Sequence, residues 1–294
     1  MILEKIFSEF CKEITVRRFK LEKNLAQKIL VKYFLDKKKL YLDEGEVVYE
    51  NFIKVKYNPN ANKILEIEKE KILEELKKEK FFLIDLSFFS YHTEKGKKSL
   101  LIQIRESLNE IREFLFDTNL ILINFPEEFK NFLGKNMCKF YKRDEFDFSN
   151  FNAIVLDPYG EEVLGEKDLE KYNLFLIGGI VDVGQRWYYA TKYLFEDLNI
   201  KRKRIELKGS IRGVPDRINL IIRILLESYY NKIPLEKAIL KNQTKKEIFE
   251  RLSLELKKKS SFEEIKEVIN VEHPSFREIF KKLSKNYSWT SLLI

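Results

Sequence analysis

Seven of the ten glycines in this 294-residue chain lie between Gly160 and Gly213. They fall at or near three expected strand ends, in DPYG (Asp157–Gly160), IGGIVDVG (Ile177–Gly184) and KGSIRGVPD (Lys208–Asp216). Glycine at a strand end lets a ligand approach the backbone closely. In open α/β sheets, ligands bind outside the carboxyl ends of the strands. Three such turns close together in a glycine-poor chain therefore point to one pocket walled by three loops. The best acid–base candidate beside them is Asp182, which closes the apolar string Leu174–Asp182. Partial burial there would suit a carboxylate to accept a proton. A helix-capping or loop aspartate is the alternative.

Other chemistries lack their signatures. Neither GxGxxG nor GxxxxGK[ST] occurs, which disfavours a dinucleotide fold or a P-loop enzyme. There is no nucleophile elbow and no HExxH. The two histidines, His92 and His273, read as a loop residue and a helix-start residue, and neither is assigned a role. Cys11 and Cys138 stand far apart with no Cys/His cluster, so no metal site is expected and both thiols read as small buried hydrophobes. The longest apolar run, Leu174–Val181, is too short to span a bilayer. The N-terminus has no signal-like apolar stretch. A cytoplasmic protein without a membrane partner is expected.

The elements that must hold the three loops read as follows. From Phe81 the chain alternates apolar strings with helical patterns. Phe81–Phe89, Asn119–Phe125, Asn152–Asp157, Leu174–Asp182 and Arg204–Gly209 are the strands, with Lys139–Arg143 as an edge candidate. Ser99–Phe116, Arg186–Leu198 and Pro215–Tyr230 are the helices. Continuous apolar strands between helices imply an α/β domain with a mainly parallel sheet. Before it lies a mixed α+β stretch, joined by a Glu/Lys-rich helix over Ile64–Lys80 that reads as a linker. After Pro234 the pattern is helical only: Leu235–Lys259, Phe262–Ile269 and Ser275–Asn286. Three domains are expected, over 1–79, 80–233 and 234–294.

The net charge of +8 is unevenly spread. Residues 1–40 carry eleven basic and five acidic side chains, and residues 200–232 carry nine and three. The intervening stretch is net acidic. Basic flanks around an acidic middle suggest a polyanionic partner, against the plainer alternative of a Lys/Glu-rich solvated surface.

The stretch AIVLDPYGEEVLGEKDLEKYNLFLIGGIVDVG (Ala153–Gly184) resembles the tRNA (purine-9, N1)-methyltransferase family of the SPOUT superfamily. The matching features are a strand ending in the Asp157 turn, an acidic stretch, and Leu176–Asp182 reading as Ile-Gly-Gly-hydrophobic-Val-Asp. Lys208–Glu227 looks like the archaeal form of the family's last loop and helix. The resemblance implies a SPOUT-type mainly parallel sheet with a C-terminal trefoil knot. It implies an α+β RNA-binding N-terminal domain, a small helical C-terminal domain and a monomer. It further implies S-adenosylmethionine as cofactor and tRNA as partner. Leu156, Asp157, Pro158, Gly178, Gly179, Gly184, Lys208, Gly209, Ser210, Gly213 and Val214 would line the cofactor pocket, with Ile218 near the adenine. Asp182 would be the catalytic residue. For tRNA contacts the expectation falls on Arg186, Arg202, Lys203, Arg204, Arg212 and Arg217 near the pocket. Arg17, Arg18 and the segment from Lys241 to Lys246 are expected to reach the RNA farther out. Trp187, Tyr188 and Tyr189 would either stack on the substrate base or pack in the core.

Two other functions fit parts of the pattern. Asp85, Asp117, Asp157 and Asp182 lie in or near strand ends, as the carboxylates of a metal-dependent RNA nuclease would. A non-catalytic RNA-binding protein would need only the basic flanks.

Overall fold

A computed structural model describes residues 1–183 and 187–286. The first part runs α1 (Ile2–Phe7), β1 (Glu13–Val16), α2 (Leu25–Phe34), β2 (Glu46–Glu50), β3 (Lys54–Tyr57) and α3 (Lys69–Leu76). The second runs β4 (Phe81–Asp85), α4 (Glu94–Phe114), β5 (Leu120–Ile123), β6 (Lys139–Tyr141), β7 (Ala153–Leu156), β8 (Glu162–Val163) and α5 (Glu166–Lys171). It continues through β9 (Leu174–Gly178), α6 (Ala190–Leu194), β10 (Arg202–Arg204) and α7 (Ile218–Tyr230). The last part is α8 (Leu235–Lys241), α9 (Lys245–Lys258), α10 (Phe262–Val268) and α11 (Phe276–Ser284).

The large sheet has seven strands in the order β6-β5-β4-β9-β7-β10-β8, and every pairing in it is parallel. Its central strands are apolar throughout because both faces are covered. Phe82, Ile84, Leu120, Leu122, Phe175 and Ile177 face the core shared with α4 and α7. Their neighbours Phe81, Leu83, Ile121, Ile123, Leu174 and Leu176 face the opposite core with Leu194 and Phe195. The strand period of two sorts one apolar string into two cores.

β10 lies between β7 and β8, with Lys203 opposite Leu156 on one side and Glu162 on the other. β7 and β8 are consecutive in sequence, so residues 157–161 cross over the end of β10. Gly160 permits the close pass: a Cβ there would stand 2.7 Å from the Lys203 carbonyl carbon. The Asp157 N–H donates to Lys203 O at 2.9 Å and the Leu164 N–H to Arg204 O at 2.8 Å. The chain beyond Arg204 thus emerges beneath the crossing loop, an arrangement that ordinary α/β connections avoid.

Several expected boundaries move. The strand placed over Arg204–Gly209 is Arg202–Arg204, because the chain leaves the sheet at the crossing and turns at 207–210, where the Leu207 N–H donates to Ser210 O at 2.8 Å. The helix expected from Pro215 begins at Ile218, since Arg217 takes the extended N-cap conformation and Pro215 stays in the loop. The helix α4 begins earlier than expected, at Glu94, where the Thr93 hydroxyl accepts from the Gly96 N–H. The helix expected over Ile64–Lys80 is shorter, α3 alone, and it is packed down: Ile72 and Leu76 are buried, and Asn119 Nδ2 donates to the carbonyls of Leu76 and Lys80, both at 3.1 Å. The single helix expected over Leu235–Lys259 is two. Asn242 and Gln243 turn inward at the break, and the Thr244–Glu247 capping box restarts the helix.

Among the described residues no helix is long and apolar enough to cross a membrane.

Candidate active site

The loops after β7 and β10 meet in a cavity of about 250 Å³. Leu156, Asp157 and Pro158 line it from one side, and Ile211, Arg212 and Val214 from the other. Five of these six are residues the resemblance assigns to a cofactor or to RNA beside it. Ile205, Pro215, Asp216, Ile221 of α7 and Glu250 of α9 complete the wall. Ile218 is buried one turn before Ile221, and its N–H donates to Gln103 Oε1 of α4 at 3.0 Å. Asp157 is fully engaged in shaping its loop. It is 1% exposed, accepts from the Tyr159 N–H at 3.0 Å, and pairs with Arg202 at 3.2 Å.

The other expected cofactor residues are distributed differently. A Cβ at Gly179 would stand 2.6 Å from Asp85 O, and one at Gly178 3.0 Å from Ile180 Cδ1. Protein already fills the space a side chain would need at both. Lys208 is exposed, with its ammonium 3.4 Å from Glu236 and 3.8 Å from Glu267. Gly209 takes φ 73° with open space around it. Ser210 Oγ accepts from the Arg212 N–H at 3.1 Å. Gly213, at φ 88°, lies against the aliphatic stem of Arg251, where a Cβ would approach Arg251 Cβ to 2.8 Å. Gly184 and Arg186 lie outside the described residues.

Asp182 does not close a strand and is not partly buried. β9 ends at Gly178, and Asp182 sits exposed in the following loop. The Gly179 N–H still donates to Asp85 O at 2.8 Å, and the chain then leaves the sheet through two tight turns, in which the Ile180 N–H donates to Gly178 O at 2.8 Å and the Val183 N–H to Val181 O at 3.0 Å. The Asp182 carboxylate accepts from the Trp187 N–H at 3.1 Å. This loop touches the Asp157 loop through Tyr159 and Tyr189, whose ring centroids are 4.5 Å apart. Burial pushes the Tyr159 phenol above its ordinary pKa, and Tyr188, Tyr189, Asp182 and Asp157 push it further. The two carboxylate-bearing loops therefore share one electrostatic neighbourhood.

Several expected RNA-binding cations are engaged within the chain. Arg202 holds Asp157. Lys203 holds Asp168 at 3.0 Å and Glu162 at 3.1 Å, which raise its pKa. Arg204 pairs with Glu206 and donates to the carbonyls of Gly160 and Glu161 at the crossing. Lys241 holds Glu227, Lys245 holds Glu278 and Lys246 holds Asp216. Arg17 donates to Ala61 O at 2.6 Å and lies over the Tyr41 ring. Arg18, Arg212 and Arg217 are exposed.

The C-terminal helices supply residues that sequence reasoning missed. Arg251, 2% exposed, donates to Leu207 O at 3.0 Å and Arg212 O at 3.1 Å and pairs with Glu255. Gln243 donates to Gly213 O at 2.9 Å. Three carbonyls of one cavity loop are thus held by α9 and the turn before it. A mid-helix arginine in a Lys/Glu-rich sequence carried no signal of this. Tyr159 was also missed, although its place inside DPYG was visible.

The carboxylates of the nuclease reading are not gathered. Asp85 pairs with Arg143, Asp117 with Arg112 at 2.6 Å, and Asp157 with Arg202. Among the described residues no group of three or more His, Cys, Asp or Glu is placed to hold a metal ion.

The all-parallel seven-stranded sheet, with its cavity at the crossing of β7 and β10, has the SPOUT-type α/β fold. The chain is similar in sequence to archaeal tRNA (adenine/guanine-9-N1)-methyltransferases. It is 37% identical over 173 residues to the tRNA (adenine(9)-N1)-methyltransferase of Sulfolobus acidocaldarius, covering 58% of this chain and 57% of that protein. It is 31% identical over 230 residues to the tRNA (guanine(9)-/adenine(9)-N1)-methyltransferase of Thermococcus kodakarensis, covering 74% of this chain and 60% of that one. The chain thus spans less than two thirds of the length of these curated relatives. The crystal structure of Sulfolobus acidocaldarius Trm10 with S-adenosylhomocysteine superposes with a TM-score of 0.66 at 23% identity, covering 96% of this chain and 94% of that one. A second structure of that Trm10, at 2.1 Å resolution, gives a TM-score of 0.59 at 28% identity, covering 82% of this chain and 98% of that one. No family model matches the chain.

Proposed function

We propose that this protein is an S-adenosylmethionine-dependent methyltransferase that methylates N1 of the purine at position 9 of tRNA, acting as a cytoplasmic monomer. The observation that carries the reading is the cavity at the crossing, with the Asp182 loop tied to its rim through Tyr159 and Tyr189. The lining fits the cofactor: Ile205, Ile211, Val214 and Ile221 offer apolar surface for a purine ring, and Glu250 offers a carboxylate for a cationic group. S-adenosylmethionine, when bound, supplies an electrophilic methyl group.

Asp182 is the residue proposed to act on the substrate. Guanine N1 carries a proton at neutral pH, and the Asp182 carboxylate would accept it. Adenine N1 has a free lone pair, and the same carboxylate would stabilise the positive charge that methylation creates. Exposure of Asp182 suits a base delivered from a large folded RNA, which must be extruded from its stack to reach it. Of the expected RNA-binding cations, Arg18, Arg212 and Arg217 are exposed and suited to phosphate contacts. The division into 1–79, 80–233 and 234–294 then assigns the central part to the chemistry and the flanking parts to holding the RNA.

The test is nucleoside mass spectrometry of unmodified tRNA after incubation with the protein and S-adenosylmethionine. The expected products are 1-methyladenosine, 1-methylguanosine or both, at position 9. Cofactor binding without methyl transfer to any tRNA would overturn the reading.

A further inference from the structure

His92, which the sequence left without a role, is 5% exposed and sits against the Asp182 loop. Its Nε2 lies 3.2 Å from the Val181 N–H, and its Nδ1 lies 3.0 Å from Phe88 O. An amide N–H can only donate and a carbonyl can only accept. The ring is therefore neutral, with its proton on Nδ1 and its lone pair on Nε2. The adjacent Thr93 hydroxyl donates to Val183 O at 3.1 Å while accepting from the Gly96 N–H at 3.1 Å. Two consecutive residues thus hold the backbone on both sides of Asp182. Trp187, whose N–H binds the Asp182 carboxylate, packs its ring 5.1 Å from that of His92. Gly96 makes room for the arrangement: a Cβ there would stand 3.2 Å from His92 Cβ and 3.3 Å from Thr93 Oγ1.

We propose that His92 and Thr93 are positioning residues that fix the loop presenting Asp182 to the substrate base, and that neutral His92 is required for the grip. This rests on Asp182 being the group that acts on N1. Protonation at Nε2 would turn the acceptor into a donor aimed at the Val181 N–H, and the loop would lose one of its two anchors. Burial pushes the imidazole below its ordinary value of 6.5; the backbone carbonyls of Phe88 and Phe89 oppose the shift, Lys97 adds to it and Asp182 opposes it. Lys97 of α4 and Asp182 of the gripped loop are the charged groups that face the ring among the described residues. With the folded value lowered, the grip is complete above pH 6.5 and is lost as pH falls through the folded value.

Three variants of the full-length protein test this: His92→Leu, which removes the acceptor; His92→Gln, which keeps an acceptor that does not titrate; and Thr93→Val. His92→Leu should lower kcat by about tenfold or more, with S-adenosylmethionine affinity within about twofold of the parent. His92→Gln should recover most of kcat and weaken the acid limb of the pH profile. Thr93→Val should lower kcat in the same direction as His92→Leu. Amide exchange at Val181 provides a readout independent of activity: it should rise about tenfold in His92→Leu and return toward the parent in His92→Gln. Unchanged Val181 exchange in a folded His92→Leu protein overturns the proposal, as does an unchanged kcat. If the parent itself methylates no tRNA while Val181 exchange responds as expected, the functional reading fails and the grip stands.

Discussion

Asp157 and Asp182 both follow apolar strands, and their surroundings set them opposite tasks. Asp157 is buried, paired with Arg202 and bonded to the Tyr159 N–H, so its charge is committed to the crossing. Asp182 is exposed, and its carboxylate accepts a hydrogen bond from the backbone N–H of Trp187. A pair of substitutions separates the two. Asp157→Asn should lower unfolding stability by about 2 kcal/mol, read from urea midpoints, because it leaves Arg202 without its partner at a partly exposed site. Asp182→Asn should leave the midpoint within about 0.5 kcal/mol but cut the rate of 1-methylguanosine formation by at least about 100-fold. Formation of 1-methyladenosine should fall less, since adenine needs charge stabilisation and not proton removal. Equal losses for both purines would count against Asp182 as a base.

At the scale of elements, the loop between β10 and α7 has few anchors of its own. Its first turn is closed by Leu207 and Ser210, and its next carbonyls are held from α9. Gly213 is obligatory there for two reasons: φ 88° disfavours a side chain, and Arg251 occupies the space. Gly213→Ala should therefore displace the loop from Arg251 and raise the dissociation constant for S-adenosylmethionine by about tenfold, measured by calorimetry. Arg251→Met, which keeps much of the stem and loses both carbonyl bonds, should do the same. The C-terminal helices, expected to reach RNA through the segment from Lys241 to Lys246, thus also hold the cavity loop. Unchanged cofactor affinity in both variants would show that the loop holds its shape without α9.

At the scale of the whole molecule, the charge of +8 says less about RNA contacts than its raw count suggests. Many cations near the cavity are paired with carboxylates of the same chain, and only part of the basic surface is open to phosphates. The logarithm of tRNA affinity should fall linearly with the logarithm of salt concentration. Replacing Arg212 and Arg217 together by alanine should reduce that slope by about two, whereas Arg204→Ala should change stability more than slope. Filter binding across a salt series reads both. A slope as sensitive to Arg204 as to Arg212 would mean that the crossing itself touches RNA.

The order of strands and helices, and the strand ends that carry the loops, were legible in the sequence because burial on both faces demands unbroken apolar strings such as Phe81–Ile84 and Leu174–Ile177. Glycine spacing was legible for a related reason: close approach, of the Lys203 backbone at Gly160 and of the Arg251 stem at Gly213, leaves no room for a side chain. The partners of the charges were not legible. Arg202 meets Asp157 only because β10 is inserted beside β7, and Arg251 meets Leu207 and Arg212 only because α9 folds back on the crossing. His92 likewise gains its role from Val181, which lies far along the chain. Periodicity records whether a side chain is buried. Which polar group it meets depends on how distant segments cross, and here the tertiary fold decided that.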